Sequence, residues 1–474
     1  MEKLTMDALK AYNVVWEGRN KEDYLKVVSA LNRKIIVLDD DPTGVQTVHG
    51  VHVYTGWDEK WLAEAFDEKN EMVYILTNSR SFTPSETQTV HETIATRIEK
   101  ISARKNRAYL LISRSDSTLR GHYPLETETL KKTIQQQSGK VFDGEIIIPF
   151  FLEGGRYTVE NIHYVQEGET LKPVAETEFA RDKSFGYVNS HLGRYIEEKT
   201  GGEFLEEDCL YIGLQDLCSV NIEKITNQLM KVSNFNKVIV NATTYMHVET
   251  FAIALVRAMQ AGKEFMIRSA ASFPKVIGAI EEKPLISRED IVKDQELNGG
   301  ITMIGSHVKK TSFQLEELKT SSLPLEFIEF NQHLVTDEKR LYQEVDRVTA
   351  ISEKSIKEGK SIVIYTRRER FDPDTASKDN QLKTSAQISD ALASIIARLT
   401  VRPAYIIAKG GITSSDVGTK ALRVRKAMVM GQISPGIPVW LTGPESKFPQ
   451  LPFIIFPGNV GEKETLKDII NQLS

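Results

Sequence analysis

Short apolar runs that alternate with helix-like segments are the feature that most limits how this chain can fold. In the first half the runs are KIIVLD (34–39), VHVYT (51–55), MVYILT (72–77), AYLLIS (108–113) and GEIIIP (144–149). Each ends in a polar or glycine-containing loop, and segments of helical character lie between them. This alternation predicts βα units, and therefore an α/β fold with mostly parallel sheets.

A charged segment without strong periodicity, EEKPLISREDIVKDQELNGG, interrupts the alternation and ends in two glycines. Such a segment is typical of a linker, and the strand and helix alternation restarts after it with GITMIG. We therefore predict two α/β domains with an active-site cleft between them. The predicted boundaries are an N-terminal helical extension at 1–32, a first domain at 33–280, a linker at 281–299 and a second domain at 300–474.

Charge and hydropathy exclude several classes of function. Sixty basic residues against 65 acidic ones give a net charge of −5 over 474 residues, which provides no overall attraction to nucleic acid or to anionic membranes. No apolar run approaches the roughly 20 residues that cross a bilayer, and the N-terminal segment is too charged for a signal peptide. Cys209 and Cys218 fit no metal motif and are interpreted as reduced thiols. We expect a cytoplasmic protein that binds small molecules.

The stretch DDDPTG at 39–44 places three consecutive carboxylates at the end of a predicted strand. Carboxylates in this position could bind Mg²⁺, hold sugar hydroxyls or accept a proton. Asp, Pro and Gly are also turn formers, but a turn needs only one such aspartate. The stretch is therefore a candidate functional loop.

Three further loops follow predicted strands of the first half: LTNSRS (76–81), SRSDSTLRGHYPLE (113–126) and the glycine-rich FFLEGGR (150–156). Functional loops of parallel α/β sheets follow the carboxyl ends of strands, and arginine offers a planar fork for carboxylate or phosphate. Structural alternatives are a helix-capping loop, an Asp116–Arg114 ion pair and a turn into a hairpin. The candidate side chains are Asn78, Ser79, Arg80, Arg114, Asp116, Ser117, Arg120 and Arg156.

In the second half, small-residue loops again follow predicted strands, in GSHVKKTSFQ, AKGGITSSD and FPGNVG. A helix that begins after such a loop presents free backbone N–H groups to anions. The segment EGKS at 358–361 is not a P-loop, because Lys354 stands where the first glycine is required and a strand follows. Three small-residue loops in one domain nevertheless indicate a phosphate or nucleotide cradle.

An Asp-x-Asp-x-Thr pattern after an apolar strand, formed by Asp39, Asp41 and Thr43, resembles the nucleophile motif of haloacid-dehalogenase-like phosphatases. That resemblance implies a phosphorylated Asp39 and an acid/base role for Asp41. It leaves the loop at 113–126 unexplained, and AKGGITSSD supplies the required lysine and acidic pair only at poor spacing. The phosphatase is therefore the alternative hypothesis.

A resemblance to the four-carbon acid sugar kinase family, formerly a family of unknown function, covers nearly the whole chain. It rests on the ordered motifs DDPTG, LTNSR, SRSDSTLRG, IPFFLEGGR, GSHVKKTSFQ, KGGITSSDVGTKAL, SPGIPVW and FPGNVG. The resemblance implies a sugar-acid-binding first domain and an ATP-binding second domain. It also implies phosphorylation of a terminal hydroxyl of a threonate, erythronate or 3-oxo-tetronate with ATP and Mg²⁺, and it favours a homodimer.

Carried over by motif, the resemblance implies a role for two groups of residues. Asp40 or Asp116 would orient the acceptor hydroxyl and accept its proton, while arginines among Arg80, Arg114, Arg120 and Arg156 would clamp the substrate carboxylate. The substrate motifs fall on Asp40, Asp41, Thr43, Gly44, Asn78, Ser79, Arg80 and the run from Asp116 to Gly121. The nucleotide motifs fall on Ser306, Gly410, Gly411, Ile412, Thr413 and Gly458.

The chain departs from the family pattern at three positions. Asn78 replaces an acid in the second motif, Ile412 stands where the glycine loop usually continues with Asp or Glu, and Asn241 replaces a frequent acid. The metal ligands and the particular sugar acid are therefore left unassigned. Ile412 also prompts a third hypothesis, a non-catalytic sensor of sugar acids.

Overall fold

The computed structural model describes residues 4–13, 18–292, 297–369, 371 and 378–473. Contacts between residues divide the chain into two compact units. The first comprises the chain up to Val48 together with Gly56–Glu282, and the second comprises His49–Thr55 together with the chain from Lys283 onward. Strands and helices alternate along both units, which confirms the predicted α/β class.

The strands of the described residues, in chain order, are β1 (Lys34–Asp39), β2 (His52–Tyr54), β3 (Met72–Leu76), β4 (Tyr109–Arg114), β5 (Gly144–Ile148), β6 (Arg156–Val159), β7 (Ile162–Glu167), β8 (Thr170–Pro173), β9 (Leu210–Ile212), β10 (Asn236–Val240), β11 (Phe265–Ser269), β12 (Ile301–Ile304), β13 (Leu325–Phe330), β14 (Ser361–Thr366), β15 (Ile406–Lys409), β16 (Lys426–Ser434), β17 (Ile437–Thr442) and β18 (Pro452–Phe456).

The α-helices of the same residues are α1 (Met6–Leu9), α2 (Gly18–Ser29), α3 (Glu59–Asp67), α4 (Pro84–Lys105), α5 (Leu125–Ser138), α6 (Leu192–Lys199), α7 (Leu214–Cys218), α8 (Ile222–Met230), α9 (Tyr245–Gln260), α10 (Ser272–Ile277), α11 (Arg288–Ile291), α12 (Lys309–Lys319), α13 (Glu338–Lys357), α14 (Lys378–Arg398), α15 (Gly411–Asp416) and α16 (Thr465–Leu473). Short 3₁₀-helices at Pro42–Val45 and Ser79–Ser81 belong to the site described below.

The main sheet of the first unit is parallel, in the order β3-β1-β4-β11-β5-β10-β9. Every residue of β1 is buried, as expected for a run that is apolar on both faces. Asp39, the last residue of β1, lies level with Leu76 of β3 and Arg114 of β4. The loops that follow β1, β3 and β4 therefore leave the sheet side by side, at the same edge.

A separate antiparallel sheet, β6-β7-β8, follows β5 in the same unit. It begins at Arg156, so the glycine-rich segment before it does lead into a hairpin. His163 of β7 is fully buried, and its Nε2 lies 2.7 Å from the carbonyl oxygen of Ser117. This contact joins the small sheet to the loop that follows β4.

The sheet of the second unit is parallel over β13-β14-β12-β15-β18 and continues with the antiparallel strands β17, β16 and β2. Strand β2 comes from the first part of the sequence, and Tyr54 pairs with Lys426. The segment 49–55 therefore groups with the second unit, although it lies within the domain predicted at 33–280. Three residues carry too little pattern to indicate which sheet they join.

Part of the segment predicted as a linker packs into the second unit. Ile286 is buried, and its backbone N–H donates to the carbonyl of Gln432 at 2.8 Å. Helix α11 follows, and its Ile291 joins the same apolar cluster. Residues 293–296 of the predicted linker lie outside the described residues.

None of the helices in the described ranges is both long enough and apolar enough to cross a membrane.

A fully buried ion pair joins the neighbouring strands β5 and β10 of the main sheet in the first unit. Lys237 Nζ and Glu145 Oε2 are 2.6 Å apart, and both side chains are 0% exposed. The ammonium group also lies over the rings of Phe204 and Phe235, at 3.9 and 4.1 Å from their centroids. Removal of one partner would leave a charge buried without compensation, which is far more costly than loss of an exposed pair.

We expect Lys237→Met to lower the free energy of unfolding by about 3–5 kcal/mol, because Glu145 loses its counter-charge. The double variant Lys237→Met/Glu145→Leu should recover most of that loss. The matched control is Lys224→Met, which breaks a pair whose lysine is 56% exposed and should change stability by about 0–1 kcal/mol. Urea denaturation measures all three, and equal losses for Lys237→Met and Lys224→Met would contradict the prediction.

Burial lowers the pKa of His163 from 6.5 to about 4. Between these values the unfolded chain binds a proton that the folded chain does not, so stability falls as the pH decreases from 6.5 to 4, by about 1.4 kcal/mol per pH unit. His247, whose pKa burial also lowers to about 4, adds a similar dependence. We expect His163→Gln to remove about one proton from the pH dependence of unfolding between pH 7 and pH 5, measured by urea denaturation. An unchanged dependence would show that His163 is not the group responsible.

Candidate active site

Asp39, the first aspartate of the acidic run, faces inward. It is 1% exposed, and its Oδ1 accepts a hydrogen bond from Arg114 Nη1 at 3.3 Å. A Cβ at Gly44 would lie 1.9 Å from Asp39 Oδ2, so only glycine fits against this carboxyl group. Burial raises the pKa of Asp39 to about 8, against the attraction of Arg114. A buried carboxyl group covered by the loop backbone is poorly placed for covalent attack, which argues against the phosphatase hypothesis.

Asp40 forms the central ion pair of the site with Arg80. Arg80 Nη2 donates to Asp40 Oδ1 at 2.6 Å, and Nε donates to Oδ2 at 3.1 Å. Arg114 Nη1 lies 3.5 Å from the same carboxylate. Asp40 is 2% exposed, and burial raises its pKa despite the attraction of Arg80. The bidentate geometry fixes both side chains at the strand ends.

Asp41 shapes its own loop. Its Oδ1 accepts the backbone N–H of Thr43 at 2.8 Å, which caps the short helix at Pro42–Val45. Its Oδ2 lies 3.6 Å from Arg80 Nη1, and Thr43 is almost fully buried. The three adjacent aspartates thus differ in their contacts, although Arg114 reaches both Asp39 and Asp40, and Arg80 reaches both Asp40 and Asp41.

Asp116 lies on the other side of Arg80, with 3.8 Å between its Oδ1 and Arg80 Nη1. Arg120 Nε donates to Asp116 Oδ2 at 2.8 Å, and the Thr118 hydroxyl donates to the same oxygen. Burial opposes ionisation of Asp116, but Arg120 and Arg80 outweigh it and hold the pKa well below the usual range. The suggested structural pair between Asp116 and Arg114 is not formed, because Arg114 contacts Asp39 and Asp40 instead.

Arg156 is the arginine of this site whose charge is not balanced. In the part of the chain that the structure describes, its side chain has no ion pair or hydrogen bond, and its Nε is buried without a partner. The guanidinium groups of Arg156 and Arg120 share the ring of Phe179, at 5.9 and 4.9 Å from its centroid. An unpaired cation beside the Asp116–Arg120 pair is suited to bind a carboxylate of a ligand.

Three other predicted residues lie around this cluster and hydrogen-bond within the protein. Asn78 adopts a left-handed conformation with φ of 58°, and its Nδ2 donates to Ser81 Oγ at 2.9 Å. The buried Ser79 hydroxyl donates to Glu126 Oε1 at 2.6 Å. Ser117 presents its carbonyl to His163. Contact of these residues with a ligand stays a prediction.

Sequence reasoning missed Glu126 and Arg268. Arg268 Nη1 donates to Glu126 Oε2 at 3.0 Å, and both side chains are almost completely buried. Glu126 is the residue that accepts from Ser79, so the pair supports the loop after β3. The signal for Arg268 was present, since it is a charged residue within the apolar run FMIRS of a central strand.

In the second unit, the three predicted small-residue loops converge. Added Cβ atoms at Gly410 and Gly458 would lie 3.1 Å from Ser306 Cβ and 3.0 Å from Ser306 Oγ, and a Cβ at Gly305 would lie 2.3 Å from Thr413 Oγ1. Gly410 has φ of +121°, which side-chain-bearing residues rarely adopt. The loops after β12, β15 and β18 therefore form one concave backbone surface, which suits phosphate groups.

Lys409, the lysine of the segment AKGGITSSD, lies beneath these loops. It is fully buried, its Nζ donates to the Pro457 carbonyl at 2.7 Å, and the ammonium lies 3.6 Å from the centroid of the Phe456 ring. Burial lowers the pKa of Lys409 well below its usual value, with a further contribution from Lys310. A lysine directly before Gly410 was the available signal.

The same loops provide few metal ligands. Ile412 is 60% exposed and has no donor atom, and Asp416 is held by Ser389 and Lys420. Within the described ranges, no group of three or more His, Cys, Asp or Glu side chains is arranged to hold a metal ion. Mg²⁺ in nucleotide sites is commonly held by phosphates with one or two carboxylates, so the loops fit the phosphates better than they fit the ion.

The first two of the following solved structures support the fold. The Haemophilus influenzae protein HI1011, of family DUF1537, is 16% identical with a TM-score of 0.58, over 93% of this chain and 100% of that chain. A Salmonella typhimurium LT2 protein that carries the provisional name tRNA synthase is 15% identical with a TM-score of 0.62, over 92% and 98% of the two chains. A Bordetella bronchiseptica DUF1537 protein, a domain-swapped dimer with bound citrate, is 17% identical with a TM-score of 0.38, over 93% and 98%.

Comparison with curated protein sequences gave no significant match. Two family models match the chain: a sugar-binding N-terminal domain over residues 35–277 and a nucleotide-binding C-terminal domain over residues 301–466. The first contains the aspartate and arginine cluster, and the second contains the converging glycine loops. Together, these two domains identify the chain as a member of the four-carbon acid sugar kinase family, DUF1537.

Proposed function

We propose that this protein is an ATP-dependent kinase that phosphorylates a terminal hydroxyl group of a four-carbon sugar acid. The proposal is carried by the cluster of Asp40, Arg80, Asp116 and Arg120 at the strand ends of a sugar-binding domain. The nucleotide-binding domain of the same chain provides the means of phosphoryl transfer. Transfer of this kind depends mainly on positioning and on stabilisation of charge.

The acceptor site combines groups for the two ends of a sugar acid. Arg156, which has no protein counter-ion in the described part of the chain, would bind the substrate carboxylate. Aspartates that accept from hydroxyl groups and arginines that donate to them suit the remaining polyol. Because Arg80 and Arg120 are already neutralised by aspartates, the negative charge of the substrate would be directed to Arg156.

Asp40 is the better of the two proposed catalytic carboxylates. The pKa of Asp116 is held low by its arginines, so Asp116 has little affinity for a proton. Burial instead raises the pKa of Asp40, which favours acceptance of a proton from the attacking hydroxyl. We assign hydroxyl orientation and proton acceptance to Asp40, and the positioning of Arg80 and Arg120 to Asp116.

In the second unit, Ser306, Thr413 and the backbone at Gly410, Gly411 and Gly458 would hold the phosphates of ATP. Bound Mg²⁺ would neutralise charge on these phosphates during transfer. Ile412 supplies no ligand for the ion, so carboxylates elsewhere or water would complete its coordination.

We expect the protein to form ADP when it is incubated with ATP, MgCl₂ and a panel of tetronate and oxo-tetronate acids. Arg156→Gln should raise the KM for the sugar acid by about 10- to 100-fold, as expected for loss of a charged hydrogen bond, and leave the KM for ATP unchanged. The control is Arg194→Gln, at an arginine that is 62% exposed and paired with Glu206. Absence of both ADP formation and ATP binding would contradict the kinase, whereas sugar-acid binding without turnover would support the sensor.

We expect Asp40→Asn to lower kcat by about 100-fold or more, the usual contribution of a general base. Asp39→Asn should retain much more activity, because a pKa of about 8 leaves the Asp39 carboxyl largely protonated at neutral pH and asparagine resembles that form. ADP formation with the preferred acid gives both values, and thermal melting confirms folding. The opposite order, with phosphate released from phospho-sugars without ATP, would restore the phosphatase hypothesis.

A further inference from the structure

Arg268 is a buried arginine with an unused donor in the sugar-binding unit. It lies on β11, beside β4, and is 5% exposed. Its Nη1 donates to Glu126, and its guanidinium stacks at 4.8 Å over the Tyr123 ring. Its Nη2 is shielded from solvent and has no hydrogen-bond partner in the described residues. A buried charged donor without an acceptor is costly, so a ligand that supplies the acceptor would bind favourably here.

The free Nη2 lies beside Gly121. A Cβ at Gly121 would lie 3.4 Å from Arg268 Nη2, 3.4 Å from Asp40 Oδ2 and 4.0 Å from Ser115 Cβ. Gly121 has φ of +121°, a conformation that favours glycine, so this residue places no side chain between these groups. We call the surroundings of Gly121 that these atoms form the Gly121 niche; an unused donor, Arg268 Nη2, and an acceptor, Asp40 Oδ2, both lie there.

A hydroxyl group matches both the donor and the acceptor of the niche. Its oxygen can accept from Arg268 Nη2 while its proton is donated to Asp40 Oδ2, which uses only one lone pair for Arg80 Nε. A carbonyl oxygen would satisfy the arginine but would repel the carboxylate, and a methyl group would satisfy neither. The niche thus selects a group that donates and accepts at once.

We infer that Arg268 and Asp40 together hold one hydroxyl group of the sugar acid in the Gly121 niche. This inference rests on the proposed function, and it adds a substrate contact that lies outside all the motifs of the sequence. Two fixed partners determine the direction of the O–H bond as well as the position of the oxygen. Phosphoryl transfer through a loose transition state requires the acceptor hydroxyl group to be oriented in this way.

A purely structural role would have a different signature. Arg268 also holds Glu126, which holds Ser79, so a variant could weaken every ligand equally by loosening this network. Arg268→Lys keeps a positive charge for Glu126 but lacks the second N–H group of the guanidinium fork. The test must therefore ask whether the loss depends on one particular hydroxyl group of the ligand.

The experiment measures binding by calorimetry, which does not require turnover. The ligands are erythronate, threonate and the corresponding acids that lack the hydroxyl group at carbon 2, 3 or 4. We expect Arg268→Lys to weaken binding of the preferred parent acid by about 10- to 100-fold, the range for a hydrogen bond from a charged donor. The affinity for one deoxy acid should be equal in wild type and variant to within about twofold, because that acid lacks the partner of Nη2. The matched control is Arg33→Lys. Arg33 forms a bidentate ion pair with Glu264 through its two Nη atoms.

The outcomes separate the inference from the function on which it rests. Equal losses for the parent and for all the deoxy acids would overturn the role of Arg268 and leave the kinase proposal intact. A wild-type protein that binds none of the acids would overturn both. If Arg268→Lys does not fold, a wild-type crystal soaked in the preferred acid decides: a ligand hydroxyl within about 3.2 Å of Arg268 Nη2 and Asp40 Oδ2 supports the inference. A water molecule there, with the acid elsewhere, overturns it.

Discussion

The bidentate pair of Arg80 and Asp40 is the interaction on which the sugar-binding unit depends. It joins the end of β1 to the loop after β3, and through Asp116 it reaches the loop after β4. Charges so little exposed are stable only when each has several partners. Here the partners are shared out, because Arg114 contacts Asp40 as well as Asp39, while Arg120 pairs with Asp116. The cluster therefore remains fixed without a ligand, and a substrate meets groups that are already in position.

Much of this arrangement could be predicted from the sequence, because it follows from periodicity and local motifs. Apolar runs gave the parallel strands, and their adjacency brought DDDPTG, LTNSRS and SDSTLRG to one edge. The roles of individual aspartates could not be predicted, since they depend on which side chain turns inward. Asp39 turns toward Gly44 and Arg114, whereas Asp40 turns toward Arg80. The order of residues in a motif does not indicate the direction in which each side chain turns.

Other features escaped prediction because they arise from contacts distant in sequence. Strand β2 joins a sheet whose neighbouring strand begins at Lys426, and three residues contain no trace of that pairing. Arg268 was hidden within a strand, and Lys409 acquires its environment only when the loop at Pro457 closes over it. In each case the residue was visible, but its partner could be identified only from the fold. A buried charge within an apolar run is the sequence signal that Arg268 and Lys409 share.

The contact between Gly44 and Asp39 limits which substitutions this loop can accept. A side chain at residue 44 would occupy the volume of the Asp39 carboxyl group, and a larger group at residue 39 would collide with the backbone at residue 44. Neither position can vary alone without rebuilding the turn between them. Asp39 and Gly44 therefore act as a single steric unit, and a bulkier substitution at either one displaces the turn that positions Asp40 and Asp41.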